Sequence, residues 1–225
     1  MPIEVNLSFP ENPVRPPAAV LQVDGLCFDY PQRPLFTGLT ADIPGGVCLV
    51  LGADGSGKTT LLRLLAGELA AQAGTLHINS VALAGDAPAY RQQVFWVDPR
   101  TTDHERITAL QYFALQRLRF PGFLPVDSEG MAELVAGLSL SEHLEKPLYM
   151  LSTGSKRKVW LAAAFAAGAA VTLLDDPFAA LDKTSIVFVL GLLAGVARDP
   201  THSWIVAHYD LLDGVPLAQV IALPD

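Results

Sequence analysis

Apolar runs and amphipathic stretches alternate along much of this chain. Residues 47–51 form an unbroken apolar run, and residues 60–69 carry Leu61, Leu62, Leu64 and Leu65 among polar positions. This order predicts a buried strand, then a helix that ends near Gly67. Gly74 turns into another short strand over 75–78. Upstream, polarity roughly alternates over 20–30, with Leu21 and Val23, then Leu26, Phe28 and Tyr30, on shared faces. Gly25 interrupts it, so a hairpin or bent strand pair is predicted. Residues 35–43 lead to Pro44-Gly45-Gly46, which reads as a turn. Residues 91–98 read as a strand ending in a carboxylate. From about 103 to 150 the apolar spacing is helical (Ile107, Leu110, Phe113, Leu115 and Leu118, then Met131, Leu134, Val135 and Leu138), which predicts a helical insertion.

Residues 159–174 are sixteen positions without a charge. That is short of a bilayer span. The Ala-rich first part suits a helix, and residues 171–174 suit a buried strand of a parallel sheet. A helix over 184–196 and a strand over 204–207, ending at His208, complete the alternation. The fold class is therefore α/β, with strands and helices in turn around one core.

Composition narrows this further. The chain has 225 residues, 51% of them hydrophobic and 17% charged, which fits one globular domain with a small inserted subdomain. A formal charge of −8 argues against a nucleic-acid surface, and the only basic cluster, Lys156-Arg157-Lys158, is too short to form one. Cys27 and Cys48 lie in apolar stretches without metal-ligand spacing and read as reduced thiols of a cytoplasmic protein. Five prolines within residues 1–17 predict an extended arm. Those first residues lack the basic start and apolar stretch of a signal peptide, so a soluble protein is expected.

The candidate chemistry begins at residues 52–60: Gly52, Ala53, Asp54, Gly55, Ser56, Gly57, Lys58, Thr59 and Thr60. A glycine-rich loop between a strand and a helix can hold a nucleoside triphosphate. Its backbone N–H groups curl around the β-phosphate, and the helix N-terminus adds positive potential. Lys58 supplies a mobile charge for the β- and γ-phosphates, and the Thr59 hydroxyl is placed to ligate Mg²⁺.

Phosphate loops serve kinases, GTPases and many ATPases, so two further segments matter. Leu151-Ser152-Thr153-Gly154-Ser155 resembles the signature of ATP-binding-cassette (ABC) ATPases. It precedes an Ala-rich helix and then Val171–Asp175, similar to a Walker B strand. Residues 178–182 end in Asp182, similar to the family's D-loop, and His208 sits where its switch histidine sits. From Leu21 onward the order and spacing match, and no Asn-Lys-x-Asp guanine motif supports a GTPase. The resemblance implies a P-loop NTPase core with a parallel sheet flanked by helices, an N-terminal antiparallel β subdomain, and an inserted helical subdomain at about 100–152. The cassette would span 18–225.

The same resemblance implies roles. Tyr30 would stack on adenine, and Asp175 would hold Mg²⁺. Asp176 would act on the attacking water, and His208 would bond the γ-phosphate. Leu151, Ser152, Thr153 and Gly154 would close over ATP bound to a second cassette, so the expected cofactors are ATP and Mg²⁺. Three positions depart from the pattern. Asp176 replaces the usual glutamate, Asp98 aligns with the Q-loop glutamine and would be a tentative metal ligand, and Ser155 replaces the signature glutamine. Slow hydrolysis is expected, in a homodimer or a heterodimer.

The resemblance further implies a separate transmembrane permease, no nucleic-acid partner, and a place at the cytoplasmic face of a membrane, with export weakly favoured. The competing expectation is a soluble ABC ATPase acting on DNA or ribosomes. Residues 120–125 form an apolar stretch that either meets a partner or packs within the insertion.

Overall fold

The computed structural model describes residues 19–31 and 33–224; the proline-rich segment 1–17 lies outside them. Strands β1 (Leu21–Tyr30) and β2 (Arg33–Ile43) pair antiparallel, with Leu21 opposite Ile43 and Tyr30 opposite Arg33. The interruption expected at Gly25 is a shift of register inside one long strand, and the partner strand is β2. A bulge absorbs the extra residues without ending the ladder.

Next come β3 (Gly46–Leu51), α1 (Lys58–Leu65), β4 (Ala73–Ile78), β5 (Val81–Ala82), α2 (Ala87–Gln92) and β6 (Val94–Trp96). The strand expected over 91–98 is thus shorter, because Arg91 and Gln92 finish a helix capped by the Asp86 carboxylate. The helical block holds α3 (Ala109–Arg119) and α4 (Glu129–Gly137), followed by α5 (Thr153–Ala166). Thr108 and Gln111 form a capping box at α3, and Ser128 caps α4. The chain closes with β7 (Val171–Asp175), α6 (Lys183–Val196), β8 (Ser203–His208) and β9 (Gln219–Ala222). Strand β9 has no counterpart in the expectations above.

Two sheets result. One is antiparallel, in the order β2-β1-β4-β5, and the other is parallel, in the order β6-β7-β8-β3-β9. The side-chain period of two divides the parallel sheet between two cores. Val47 and Leu49 of β3, with Trp204 and Val206 of β8, face the helical block, α5 and α6. Cys48 and Val50, with Ile205 and Ala207, face α1, α2 and the antiparallel sheet. This two-sided burial explains why these strands read as continuous apolar runs. The Cys48 thiol is fully buried and its pKa is pushed up to about 11 by that burial, while Cys27 is half-buried. Phe120 and Phe123 are buried in the helical core, so the 120–125 stretch packs within the insertion.

At the C-terminal end of α1, the Tyr90 hydroxyl donates to the Leu65 carbonyl at 2.8 Å, and both residues are fully buried. Tyr90→Phe removes that donor and leaves a buried acceptor unpaired, which costs about 1–3 kcal/mol. Urea unfolding of the two proteins measures this, and an unchanged midpoint would contradict it.

Candidate functional site

The carboxyl ends of β3, β8 and β7 lie side by side, with Leu51 paired to His208 and Asp175 to Ala207. Ligands in open α/β sheets gather outside these strand ends. A cavity of about 760 Å³ opens here, lined among others by Tyr30, Lys58, Thr59, Asp175, Asp176 and His208.

The loop after β3 delivers Lys58 and Thr59 into the cavity as α1 begins. Its geometry requires glycine at residue 57, where φ is +104° and a Cβ would press on Leu35 at 3.0 Å. The Lys58 ammonium donates to the Gly52 and Ala53 carbonyls at 2.7 and 2.8 Å, so it curls over the loop it would share with a phosphate. Ser56 is buried, and Gly52, Asp54 and Gly55 complete the turn. The Arg33 guanidinium braces this turn from β2 by donating to the Gly55 carbonyl at 2.9 Å. Tyr30 is 41% exposed, its ring edge-on to Phe28, and its hydroxyl lies 3.3 Å from the Thr60 hydroxyl.

The Thr59 hydroxyl donates to Asp175 Oδ2 at 2.7 Å, across 116 residues of sequence. Burial raises the Asp175 pKa above the ordinary carboxylate range; the Thr59 hydrogen bond, Arg100 and Arg157 oppose the rise, while Asp176 adds to it. Two hard oxygens meet here, one of them on a half-buried carboxylate. That donor set fits Mg²⁺, which takes few protein ligands and fills its shell with water and phosphate oxygens.

Asp176 and His208 form a second pair, with His208 Nδ1 3.2 Å from Asp176 Oδ1. His208 is nearly buried and held edge-on by Phe178. The remaining histidines, at 77, 104, 143 and 202, do not line the cavity.

The signature segment caps α5. Ser152 Oγ accepts from the Ser155 N–H at 3.1 Å, and Leu151 is buried in the helical core. Gly154 packs so close to the Ala180 carbonyl that any Cβ would collide with it. Asp182 caps α6 through the Ser185 N–H and binds Lys158 Nζ at 2.5 Å. Those bonds hold its carboxyl well below the usual range. Thr153, one turn before Arg157, reaches the cavity wall with it.

Asp98 does not line the cavity; its carboxylate accepts from the Arg100 N–H at 2.8 Å and closes its own turn. Pro99 and Arg100 stand at the wall instead. Sequence reasoning missed Arg33, Arg100, Arg157 and Tyr209 as lining residues. Only Arg157 had a local signal, its position four residues after Thr153 on one helix.

The family model described as ABC transporter matches residues 38–179. The chain is 33% identical over 173 residues to the cytochrome c biogenesis ATP-binding export protein CcmA of Legionella pneumophila, covering 76% of this chain and 84% of that protein. To the CcmA protein of Cupriavidus pinatubonensis it is 34% identical over 206 residues, covering 89% and 88%. An ATP-binding subunit of an ABC transporter superposes with a TM-score of 0.72 at 22% identity, covering 84% of this chain and 80% of that one. A bacterial Atm1-family ABC exporter with ATP bound gives 0.71 at 20% identity, covering 94% of this chain and 39% of that one. These last two likenesses speak to the fold.

The raised Asp175 pKa has a sign that can be tested. A carboxyl that is easier to protonate when folded costs stability once it is charged, above its raised value. Asp175→Asn keeps an acceptor for Thr59 and removes that charge. Scanning calorimetry at pH 7 without nucleotide or Mg²⁺ should therefore show a higher melting temperature. The gain should shrink as pH falls through the raised pKa and vanish in more acidic solution. A lower melting temperature at pH 7 would contradict the assignment.

Proposed function

The chain belongs to the ABC transporter family of ATP-binding proteins, and on that premise we propose that it hydrolyses MgATP as one half of a cassette pair that drives a separate transmembrane exporter. One observation carries this reading. Thr59, Asp175, Asp176 and His208 come from three separate segments and meet at the cavity of the glycine-rich loop.

In this reading the loop N–H groups and Lys58 bind the β- and γ-phosphates, and Tyr30 offers its exposed face to adenine. Base–aromatic stacking is worth about 1–3 kcal/mol. Thr59 and Asp175 would hold Mg²⁺, which would supply positive charge beside the phosphate oxygens. Asp176 takes a proton from the attacking water, and His208 bonds the γ-phosphate and fixes the water's direction. A carboxylate one methylene shorter than glutamate makes turnover slow. Asp98 is tied to its own turn, so Arg100 takes its place at the wall.

Ser152 and the Gly154 backbone contact the terminal phosphate on a second cassette, homologous or identical. Pairing then depends on the γ-phosphate and reverses on hydrolysis. A separate transmembrane permease supplies the membrane path, with this chain at its cytoplasmic face; no helix among the described residues is long and apolar enough to cross a membrane. The names of the CcmA relatives favour export. The competing soluble reading gains nothing from the CcmA relatives, which are named as export proteins.

Asp176→Asn should lower the ATP turnover number by about 10²–10⁴ and leave a dimer in MgATP that light scattering detects. A variant that turns over like the wild type would remove Asp176 from catalysis. Purification from detergent-solubilised membranes should recover an integral-membrane protein with the chain; recovery of ribosomes or DNA instead would overturn the transport reading.

A further inference from the structure

Asp176 is held in an unusual backbone conformation. Its φ is +43°, in the left-handed region that side-chain-bearing residues rarely adopt. Four contacts hold it there. Its N–H donates to the Ala207 carbonyl at 2.9 Å and its carboxylate lies 3.2 Å from His208 Nδ1, while its carbonyl accepts from the Ala179 N–H at 3.2 Å and from Arg157 Nη1. The first two come from β8 and the third from the local turn. The fourth comes from α5, beside the signature segment.

The Asp176 carbonyl is the one hydrogen-bond acceptor of Arg157 among the described residues. Its side chain lines the nucleotide cavity and a smaller crevice formed by Val97, Pro99, Trp160 and Pro177. Its buried Nε–H has no partner. Burial lowers its pKa, and the charges of Asp176 and Asp175 oppose that. Its neighbours on α5 point elsewhere, Lys156 to Glu105 and Lys158 to Asp182.

Left-handed residues at active sites persist only where the surroundings over-determine them. Here the residue concerned is the one whose side chain is short for its role. We propose that Arg157 is a positioning residue: by pinning the Asp176 carbonyl it keeps the backbone left-handed, and the turned backbone carries the short carboxylate toward the terminal phosphate. This rests on Asp176 being the base. A glutamate at that position reaches further and needs the turn less.

The test is a double-mutant cycle between Arg157 and Asp176, read as MgATP turnover, together with the crystal structure of Arg157→Gln. A misplacement of about 1 Å can cost about 10²-fold, so Arg157→Gln should lower kcat by about that factor with KM for ATP little changed. Arg157→Lys keeps the charge without the fork and should fall between. Adding Asp176→Glu to Arg157→Gln should restore most of the lost kcat, and the crystals of Arg157→Gln should show Asp176 with negative φ.

Equal loss from Arg157→Gln in the wild-type and Asp176→Glu backgrounds would make Arg157 a phosphate contact and overturn the proposal. So would an unchanged kcat, or an Asp176 φ that stays positive. A fold merely damaged by the substitution would not be rescued by the longer side chain. If the wild type itself turns over no ATP, the hydrolysis reading fails, and the Asp176 φ in the Arg157→Gln crystals decides the positioning alone.

Discussion

The parallel register of β3, β8 and β7 is the constraint from which the site follows. It sets Leu51 beside His208 and Ala207 beside Asp175, so three chain segments far apart in sequence end at one edge. The glycine-rich loop springs from one of those ends, and the Thr59–Asp175 hydrogen bond closes the gap to another. A slip of one residue in any of the three strands would turn its buried side chains to the opposite core. Two cores that each accept only alternate residues therefore protect the alignment of the chemistry.

Helix α5 ties the rest of the molecule to that edge. Consecutive residues on it hold three different segments: Lys156 binds Glu105 in the segment before α3, Arg157 binds the Asp176 carbonyl, and Lys158 binds Asp182 at the start of α6. Gly154, a turn earlier, lets the helix approach Ala180, whose own φ is +60°. A displacement of α5 would be felt at both carboxylates and at the cap of α6. In a cassette pair, the signature segment at the start of this helix would meet the partner's nucleotide, so closure and the state of Asp176 share one rigid element.

The strand–loop–helix around residues 46–65 and the helix–strand over 153–175 were legible in the chain because each rests on a local pattern that the tertiary structure reinforces. The same holds for the loop residues, Asp175 and His208, which sit at the ends of apolar runs. What local pattern missed was set by long-range pairing. β2 owes its length to the ladder with β1, and β9 to Leu49 and Val50 across the sheet. Residues 91 and 92 entered a helix because Asp86 caps it. Arg33, Arg100 and Tyr209 reach the cavity from loops and an edge whose approach no spacing reveals. Asp98 could be aligned with a ligand position, but the hydrogen bond that turns its carboxylate away was visible only in three dimensions.

Thr59 and Asp175, brought together by the sheet, would form one site with the phosphates of bound ATP around a divalent cation. Calorimetric titration of ATP into the wild type and Asp175→Asn, each with and without Mg²⁺, tests it most directly. Mg²⁺ should tighten ATP binding to the wild type, and most of that increment should disappear in the variant while metal-free binding persists. An increment of the same size in both proteins would contradict the account.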